Sequence, residues 1–277
     1  MELIFCDLDL ELHMYKVPLK YRKDLRIEFK TCKFIYDSQL NKSLNNQLTI
    51  YWGNRLPNDA LDKYPKLKWI HFGSVGIDRF KVIENNIKNK IVVTNSQDSV
   101  TKGMYSHTFY QIFYLLRQGY LVNKLRLENS LTREEFDISF NKILNINDLN
   151  VLIVGYGNIG TRLSNTLTQM GAKVTGIASK ERVTKEGINI YTIEKLKELV
   201  KSHNLIIGLL PYDQKLNGIF NKSIFDNMQA NSYFINNGRA SHVNQNDLFE
   251  ALNNKIIGAA IDVYDKNLIT FNSNIFN

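Results

Sequence analysis

Cysteine is scarce in this sequence. Its 277 residues include only two cysteines, Cys6 and Cys32. Two cysteines do not make the disulfide framework typical of small secreted proteins, so a reducing, cytoplasmic location is the expectation. Neither lies near a pair of histidines at metal-ligand spacing, and the sequence therefore predicts no metal site.

Long apolar runs are also missing. None reaches the roughly 18 residues that a membrane-spanning helix needs, so we expect no membrane partner. The segment Met1–Asp7 is typical of a β-strand and lacks the basic start and long apolar region of a signal peptide. Apolar residues at 44% and charged residues at 22%, without repeats or low-complexity tracts, predict folded domains rather than disorder.

A clustered basic stripe is absent as well, although the formal net charge is +8. The lysines and arginines are scattered, often beside Asn or Glu, and no nucleic-acid-binding motif is present. We therefore expect a generally basic surface that attracts anions such as phosphorylated cofactors, and no nucleic-acid partner.

The most informative stretch that is present runs from Asn150 to Gly176. An apolar strand, Val151–Val154, leads into Gly155-Tyr156-Gly157-Asn158-Ile159-Gly160. A predicted helix, Thr161–Met170, and a second strand, Lys173–Ile177, follow. This order of strand, glycine-rich turn, helix and strand is the context that a dinucleotide-binding βαβ unit requires.

Each glycine of this motif has a predicted role. Gly155 permits the tight turn, Gly157 lets the backbone approach a pyrophosphate, and Gly160 lets the helix pack closely on the strand. The backbone N–H groups at the helix start, with Asn158 and Ile159, would bind the pyrophosphate. The alternative is an ordinary βα turn that is rich in glycine.

Residues 1–98 predict a small α/β domain. Five short apolar segments, separated by polar breaks, are strand candidates. They are Leu3–Cys6, Lys33–Tyr36, Leu48–Trp52, Leu67–Phe72 and Ile91–Val93, with a short helix over Pro57–Tyr64. The turn Ser74-Val75-Gly76, followed by a predicted helix, exposes backbone N–H groups that can hold a small anion. Packing alone explains this turn equally well.

The middle of the chain predicts one long helix and a connection. Apolar spacing from Ser99 to Arg117 fits a mostly buried helix. His107 lies on it, and a packed residue is a better interpretation than a catalyst. Residues 118–149 are polar and irregular, typical of a connection between domains or an arm used in dimerisation.

The C-terminal half predicts a doubly wound parallel sheet. Strands Leu205–Leu210, Tyr233–Asn236 and Ile256–Ile261 alternate with helical segments such as Asn246–Leu252. Ligands of such sheets bind at the carboxyl ends of the strands. Three residues fall there: Pro211, Arg239 and Asp262.

Taken in order, these motifs resemble the D-isomer-specific 2-hydroxyacid dehydrogenases, the family of D-lactate, phosphoglycerate and glyoxylate/hydroxypyruvate enzymes. The resemblance covers nearly the whole chain. It is carried by Trp69–Phe80, Gly155–Gly160, Leu210–Phe220, Phe234–Val243 and Ala259–Tyr264. It implies an α/β protein with two Rossmann-like domains, and a homodimer. Residues 1–98 would form a flavodoxin-like substrate domain, 99–270 the NAD(P)-binding domain, and 271–277 the start of a return segment.

The resemblance also implies a set of site residues. Ser74, Val75 and Gly76 would bind the substrate carboxylate, and Arg239 would be the catalytic arginine. Further cofactor contacts would come from Leu210, Pro211, Leu216, Asn237, Gly238, Arg239 and Asp262. A 2-oxoacid carries a carboxylate and a ketone, and the planar fork of an arginine can hold both oxygens and polarise the carbonyl. The alternative for Arg239 is a surface ion pair.

One departure from the family concerns the cofactor. Members that prefer NAD have an acidic residue at the end of the second strand, which binds the ribose 2′-hydroxyl. The matching residue here is Ala178, followed by Ser179, Lys180, Glu181 and Arg182. A hydroxyl and two cations without a carboxylate favour NADP(H), while Glu181 keeps NAD as an alternative.

A second departure concerns proton transfer. The family uses a Glu a few residues after the Asp262 position and a His in a Pro-His motif. The Glu position here is Asn267, and the sequence ends at Asn277 without that motif. His242 could stand in sterically, although packing is the better interpretation. Three hypotheses follow: an NADPH-dependent 2-oxoacid reductase, an inactive relative that binds NADP(H) as a sensor or interaction protein, and an oxidoreductase on another substrate.

Overall fold

The computed structural model describes residues 2–7, 17–36, 42–76, 91–97, 99, 101–135 and 144–264. The chain divides into two compact units, Met1–Val100 and Thr101–Asn277. The predicted helix that follows Gly76, the Asn267 position and residues 271–277 lie outside the described residues. Among the helices that are described, none combines the length and apolarity needed to cross a membrane.

The first unit is built on a parallel sheet. Its described strands are β1 (Glu2–Asp7), β2 (Cys32–Tyr36), β3 (Ile50–Gly53), β4 (Trp69–Phe72) and β5 (Val92–Asn95). Its described helices are α1 (Leu19–Glu28), α2 (Lys42–Asn45) and α3 (Ala60–Lys63). The strand order β2-β1-β3-β4-β5 is that of flavodoxin-like sheets, which confirms the predicted fold class.

The second unit carries a larger sheet. Its described strands are β6 (Asn150–Val154), β7 (Lys173–Ile177), β8 (Arg182–Val183), β9 (Asn189–Tyr191), β10 (Leu205–Gly208), β11 (Tyr233–Asn236) and β12 (Gly258–Ile261). Its described helices are α4 (Thr101–Leu116), α5 (Gly119–Leu127), α6 (Asn158–Gln169), α7 (Leu196–Leu199), α8 (Lys222–Phe225) and α9 (Gln245–Asn254). The order is β12-β11-β10-β6-β7-β9-β8, parallel except for the antiparallel pair of β8 and β9.

The central strands of this sheet are apolar on both faces because helices cover both. Val151 and Ile153 of β6 belong to one core cluster, in which residues of α4 and α6 pack on the sheet. Leu152 and Val154 belong to the opposite cluster, which includes residues of α8 and α9. Successive strand residues point to opposite faces, so both faces of β6 are covered, and the predicted doubly wound parallel sheet is confirmed.

The predicted irregular connection over 118–149 is wrong in its first part, where α5 forms. Gln118 adopts a left-handed conformation (φ 50°) that ends α4 and starts the new helix. Leu125 is the one buried residue of α5. The side chain of Tyr120 donates to the carbonyl oxygen of Ile257 (3.3 Å), which attaches α5 to the segment before β12.

Candidate cofactor and substrate site

The second sheet has its topological switch point between β6 and β10. The chain leaves β6 toward β7 and β9, then returns to β10 on the other side of β6. The loops that follow these two strands therefore diverge, and in open α/β sheets the crevice between them is where ligands bind. The glycine motif follows β6, and Leu209–Leu210 follows β10.

The first glycine of the motif is required by the backbone. Gly155 has φ +110°, a conformation that side-chain-bearing residues rarely adopt. A Cβ added to it would lie 2.5 Å from the carbonyl carbon of Leu209. The N–H groups of Gly155 and Tyr156 both donate to the carbonyl oxygen of Ile177, at 3.0 and 2.8 Å. The turn is thus tied to the end of β7.

The second glycine leaves open space. A Cβ added to Gly157 would have no heavy atom within 4 Å among the described residues, apart from its chain neighbours. Gly157 is the N-cap of α6 and supplies no side-chain cap to the helix. At Gly160, in contrast, a Cβ would lie 2.9 Å from the carbonyl oxygen of Gly155. The motif therefore forms a cradle in front of a helix N-terminus, and this cradle fits a dinucleotide pyrophosphate.

The loops that follow β6, β10 and β11 meet at the backbone of Leu209 and Leu210. Gly155 approaches this backbone closely, because a Cβ added to Gly155 would lie 2.5 Å from the carbonyl carbon of Leu209. Gly238 approaches it as well, because a Cβ there would lie 2.8 Å from the carbonyl oxygen of Leu210. The predicted residues Gly155, Leu210 and Gly238 are thus brought together at the carboxyl edge of the sheet.

Arg239 directly follows Gly238 and has a fixed backbone. Its carbonyl oxygen accepts hydrogen bonds from the side chain of Asn236 (3.1 Å) and from the N–H of His242 (3.2 Å). Its side chain is half-buried, and Nη1 donates to the carbonyl oxygen of Gly238 (2.9 Å). The guanidinium group is therefore anchored beside the close contact between Gly238 and Leu210.

Asn237 and Asp262 follow neighbouring strands and both contact α4. The side-chain nitrogen Nδ2 of Asn237 donates to Oγ1 of Thr108 (2.8 Å) and to Oε1 of Gln111 (2.7 Å). Oδ1 of Asp262 lies 3.3 Å from Nε2 of His107. The side chains of His107 and Asp262 are 41% and 40% exposed, so His107 is not the packed core residue that we predicted.

The prediction from local motifs did not include these α4 residues, because they are distant from the motifs in the chain. A signal was nevertheless present in the helix itself. His107 and Gln111 are four residues apart and lie on one helical face, in a segment that is otherwise mostly apolar. Gln111 is buried on this helix, and a buried polar side chain needs a partner, which singles out the face.

The end of β7 presents hydroxyl and cationic side chains. Ala178 is tied to β9, because its N–H donates to the carbonyl oxygen of Tyr191 (2.9 Å). Ser179, Lys180 and Arg182 are exposed. The Cζ atom of Arg182 lies 5.8 Å from the centroid of the Tyr156 ring, and Tyr156 is the second residue of the glycine motif. The strand end and the motif are therefore neighbours.

Two further predicted cofactor residues lie beyond β10. Pro211 is exposed, and Leu216 is half-buried at the end of a 3-10 turn, Gln214–Leu216. The side chain of Asp213 caps this turn by accepting from the N–H of Lys215 (2.9 Å). The segment is thus a capped turn rather than an extended loop.

In the first unit, the predicted anion-binding turn follows β4. Oγ of Ser74 donates to the carbonyl oxygen of Gly76 (3.1 Å), and the side chain of Asn95 donates to the carbonyl oxygen of Val75 (2.9 Å). All three turn residues are half-buried. Side chains on two sides therefore bind the carbonyl groups of the turn.

The switch point of the first sheet, between β1 and β3, holds a cluster that we did not predict. Asp7 is buried at the end of β1 and accepts hydrogen bonds from the Tyr51 hydroxyl and from Arg55, whose Nε lies 2.8 Å from Oδ1. Burial raises the pKa of Tyr51, and the hydrogen bond to Asp7 raises it further, so the phenol stays a neutral donor. Gly53 provides the room, because a Cβ there would lie 2.5 Å from Cβ of Asp7.

His242 is completely buried, which agrees with the packing interpretation. The N–H of Phe220 donates to its carbonyl oxygen (2.9 Å), and the ring lies behind Gly238. Within the part of the chain that the structure describes, no group of three or more His, Cys, Asp or Glu side chains is arranged to bind a metal ion.

Comparison with known proteins identifies the family. Residues 115–277 match the family model described as D-isomer specific 2-hydroxyacid dehydrogenase, NAD binding domain. Glyoxylate/hydroxypyruvate reductase A of Photorhabdus laumondii is 30% identical over 118 residues, which are 42% of this chain and 38% of that protein. The match thus spans less than half of that reductase.

Solved structures share the fold. The NADPH-dependent glyoxylate/hydroxypyruvate reductase of Sinorhizobium meliloti, in complex with NADP and sulfate, has a TM-score of 0.79 at 22% identity, covering 100% of this chain and 85% of that one. The D-lactate dehydrogenase of Aquifex aeolicus, complexed with NAD and lactic acid, has a TM-score of 0.74 at 23% identity, covering 96% and 78%. This chain belongs to the D-isomer-specific 2-hydroxyacid dehydrogenase family.

Proposed function

We propose that this protein reduces a small 2-oxoacid to a D-2-hydroxyacid with a nicotinamide cofactor, and that NADPH is the preferred cofactor. The observation that carries the proposal is the contact of Gly155 and Gly238 with the backbone of Leu209–Leu210. This contact puts the glycine cradle and the segment of Arg239 at one carboxyl edge of the sheet. A dinucleotide-binding cradle and an anchored arginine are two of the parts that such a reduction needs, and the proton that the carbonyl oxygen takes up with the hydride would come from water.

The proposed cofactor site uses the cradle and the strand ends beside it. The pyrophosphate would lie over Gly157, against the first N–H groups of α6, and the nicotinamide would lie toward Asn237 and Asp262. Bound NADPH supplies a hydride for the carbonyl carbon of the substrate. The helix N-terminus contributes partial positive charge to the phosphate site.

Arg239 is proposed to bind and polarise the substrate. Its guanidinium group presents donors in a plane, which matches the coplanar carboxylate and ketone oxygens of a 2-oxoacid. The fixed backbone and the bond from Nη1 to the Gly238 carbonyl orient this group before the substrate arrives. Positive charge beside the ketone oxygen stabilises the negative charge that develops there during reduction.

The turn of the first unit is proposed to bind the substrate carboxylate. Ser74, Val75 and Gly76 have two of their carbonyl oxygens engaged by the Ser74 hydroxyl and the Asn95 side chain. With carbonyl groups held by side chains, the backbone N–H groups of the turn are the groups suited to an anion. This role rests on the turn geometry and on the resemblance to the family.

The preference for NADPH rests on the residues at the end of β7. Ala178 stands where members that prefer NAD have the carboxylate that binds the ribose 2′-hydroxyl. A 2′-phosphate at this position would contact Ser179, Lys180 and Arg182. All three of these side chains are exposed at the same strand end. Opposite charge and hydroxyl donors favour the phosphate over the hydroxyl.

Self-association as a homodimer is part of the proposal. Large apolar side chains of α4 and α5 are exposed, including Tyr110 (62%), Phe113 (40%) and Leu127 (81%). Exposed apolar surface of this kind favours burial against another chain. Light scattering after size exclusion should give twice the chain mass of 32.1 kDa.

The test of the reaction is a screen of purified protein with paired cofactors. Glyoxylate, hydroxypyruvate, pyruvate and longer 2-oxoacids are each offered with NADPH and with NADH. We expect oxidation of NADPH with at least one acid, and Arg239→Gln should lower kcat/KM by about 100-fold because a donor to the developing charge is lost. Cofactor binding without turnover on any acid contradicts the proposal and favours the inactive relative. Such a result would be explained by Asn267, which stands at the position of the family Glu and cannot take part in proton transfer.

A further inference from the structure

The polar face of α4 reaches the loops of two neighbouring strands. Asn237 immediately follows β11, and Asp262 immediately follows β12. Thr108 and Gln111 bind the side chain of Asn237, while His107 faces Asp262. One turn of one helix therefore contacts both residues that the proposed function assigns to the nicotinamide end of the cofactor.

The contacts with Asn237 use its amide nitrogen, Nδ2, as a double donor. Its Nδ2 atom donates over 2.8 Å to Thr108 and over 2.7 Å to Gln111. Thr108 is completely buried, and its own hydroxyl donates to the carbonyl oxygen of Met104 (2.7 Å). Gln111 is 7% exposed. The two bonds hold the amide nitrogen of Asn237 in one geometry, because loss of either would leave a buried polar group of α4 without this partner.

The contact with Asp262 differs, since it lies at the surface. Nε2 of His107 is itself shielded from solvent and makes no hydrogen bond to any residue that the structure describes. Oδ1 of Asp262 lies 3.3 Å from this atom. The two side chains are about equally exposed, at 41% and 40%. A ligand at this edge can therefore reach the carboxylate of Asp262, whereas Nε2 of His107 is shielded from it.

The N–H of Asp262 also donates to the carbonyl oxygen of Asn236 (3.1 Å), which fixes its backbone to β11. What remains adjustable is the carboxylate. A neighbouring imidazole in contact with Oδ1 limits the rotation of this group and so leaves the other oxygen, Oδ2, to a ligand. The amide of a nicotinamide ring is a hydrogen-bond donor that a carboxylate oxygen binds.

We propose that His107 is a positioning residue that acts through Asp262. The His107 side chain holds the carboxylate of Asp262 in the orientation that binds the carboxamide of the nicotinamide ring, and Thr108 and Gln111 hold Asn237 beside it. The inference rests on the proposed function. It assigns to α4 a role in cofactor alignment, in addition to its packing on the sheet.

The test compares two ligands, NADPH and 2′-phosphoadenosine 5′-diphosphoribose, which lacks the nicotinamide. Dissociation constants are measured by calorimetry for the wild type, His107→Leu, His107→Gln, Asp262→Asn and the His107→Leu/Asp262→Asn double variant. We expect His107→Leu to weaken NADPH binding by about tenfold, the size of one lost contact with a charged group, and to leave binding of the fragment unchanged. His107→Gln keeps a donor and should restore part of the loss.

The double variant tests whether His107 acts through Asp262. We expect His107→Leu to have no additional effect on NADPH binding in the Asp262→Asn background, because coupled residues are not additive. Ser106→Ala, at the exposed neighbouring position of α4, is the control and should bind both ligands like the wild type.

Three results would overturn the inference, and they are distinguishable. Equal NADPH affinity of the wild type and His107→Leu rejects the role of His107 and leaves the proposed function standing. Equal loss of both ligands in His107→Leu and His107→Gln shows a general effect on the fold. Failure of the wild type to bind either ligand rejects the proposed function, and the inference with it.

Discussion

The guanidinium group of Arg182 lies over the ring of Tyr156, with Cζ 5.8 Å from the ring centroid. Nη1 of the same side chain donates to the carbonyl oxygen of Lys180 (3.3 Å). Gly176 leaves room for the ring, because a Cβ there would lie 2.4 Å from Cδ2 of Tyr156. An exposed arginine is therefore held between the glycine motif and the end of β7, where the proposal puts the ribose 2′-phosphate.

Removal of this arginine should weaken the preference for NADPH. We expect Arg182→Ala and Lys180→Ala each to lower NADPH affinity by about tenfold, since each removes one cation beside a phosphate, and to leave NADH affinity nearly unchanged. The measurement is the ratio of the two dissociation constants, obtained by quenching of protein fluorescence or by calorimetry.

Lys201→Ala is the charge-matched control for these variants. Lys201 is exposed on a 3-10 turn, Val200–Ser202, shortly before β10 begins, and so lies toward the amino ends of the strands. Its removal should leave the ratio unchanged. The assignment of the 2′-phosphate site is wrong if Lys180→Ala and Arg182→Ala behave like Lys201→Ala, or if the wild type prefers NADH.

Acid should destabilise the first unit through His71. Burial lowers the pKa of this imidazole from 6.5, and its nitrogens contact Oγ1 of Thr94 (2.8 Å) and Oγ of Ser96 (3.0 Å). Between the folded pKa and 6.5 the unfolded chain binds more protons than the folded one, so the free energy of unfolding falls as the pH decreases below 6.5.

Tryptophan fluorescence measures this effect selectively. The two tryptophans of the chain, Trp52 and Trp69, both belong to the first unit, and their rings lie 6.2 and 6.3 Å from that of His71. Urea unfolding at pH 7.5 and at pH 5.5 should show a smaller pH dependence for His71→Gln than for the wild type. His203→Gln removes an imidazole of the second unit whose pKa burial also lowers, and it should leave the transition reported by the two tryptophans of the first unit unchanged. An unchanged pH dependence in His71→Gln would argue against a buried, neutral imidazole.

The two cysteines should differ in reactivity. Cys6 is fully buried on β1, and burial raises its pKa to about 12, whereas Cys32 is half-buried. The thiolate is the reactive form, so Cys6 should react with a disulfide reagent at pH 8 only after unfolding. We expect one reactive thiol in the folded protein and two in denaturant, and none in folded Cys32→Ser. Two thiols that react equally fast in the native wild type would contradict the buried position of β1.

The sheets could be predicted from the sequence because their strands are short apolar runs. Val151–Val154 and Tyr233–Asn236 are buried along their whole length, and burial on both faces leaves a clear signal. α1 was missed because none of its residues is fully buried, and the partly buried Leu25, which packs against the core, leaves a weak apolar signal. The antiparallel pair of β8 and β9 was missed because β8 has two residues, both exposed.

The candidate site could be predicted only where a local motif carries it. The motif predicted a tight turn at Gly155, and the φ of this residue is +110°, a conformation that glycine adopts readily. The partners of Asn237 could not be found in this way, because Thr108 and Gln111 are more than a hundred positions away in the chain. Such contacts depend on how α4 packs against the sheet, which no local pattern records.

The central claim is that the glycine cradle binds a nicotinamide dinucleotide, and Gly157 tests it without disturbing the fold. With φ −96° and no described atom within 4 Å of an added Cβ, Gly157→Ala should keep the wild-type free energy of unfolding within about 0.5 kcal/mol. Gly155→Ala should unfold more easily, because its Cβ would strike the backbone of Leu209. Gly103→Ala, on the first turn of α4 with equally open space, is the control for the added methyl group.

The decisive measurement is the calorimetric dissociation constant of NADPH for the wild type, Gly157→Ala and Gly103→Ala. The cradle predicts that Gly157→Ala weakens NADPH binding by at least about tenfold, because the methyl group occupies the space of the pyrophosphate, while Gly103→Ala binds like the wild type. Wild-type affinity in a folded Gly157→Ala protein would contradict the account.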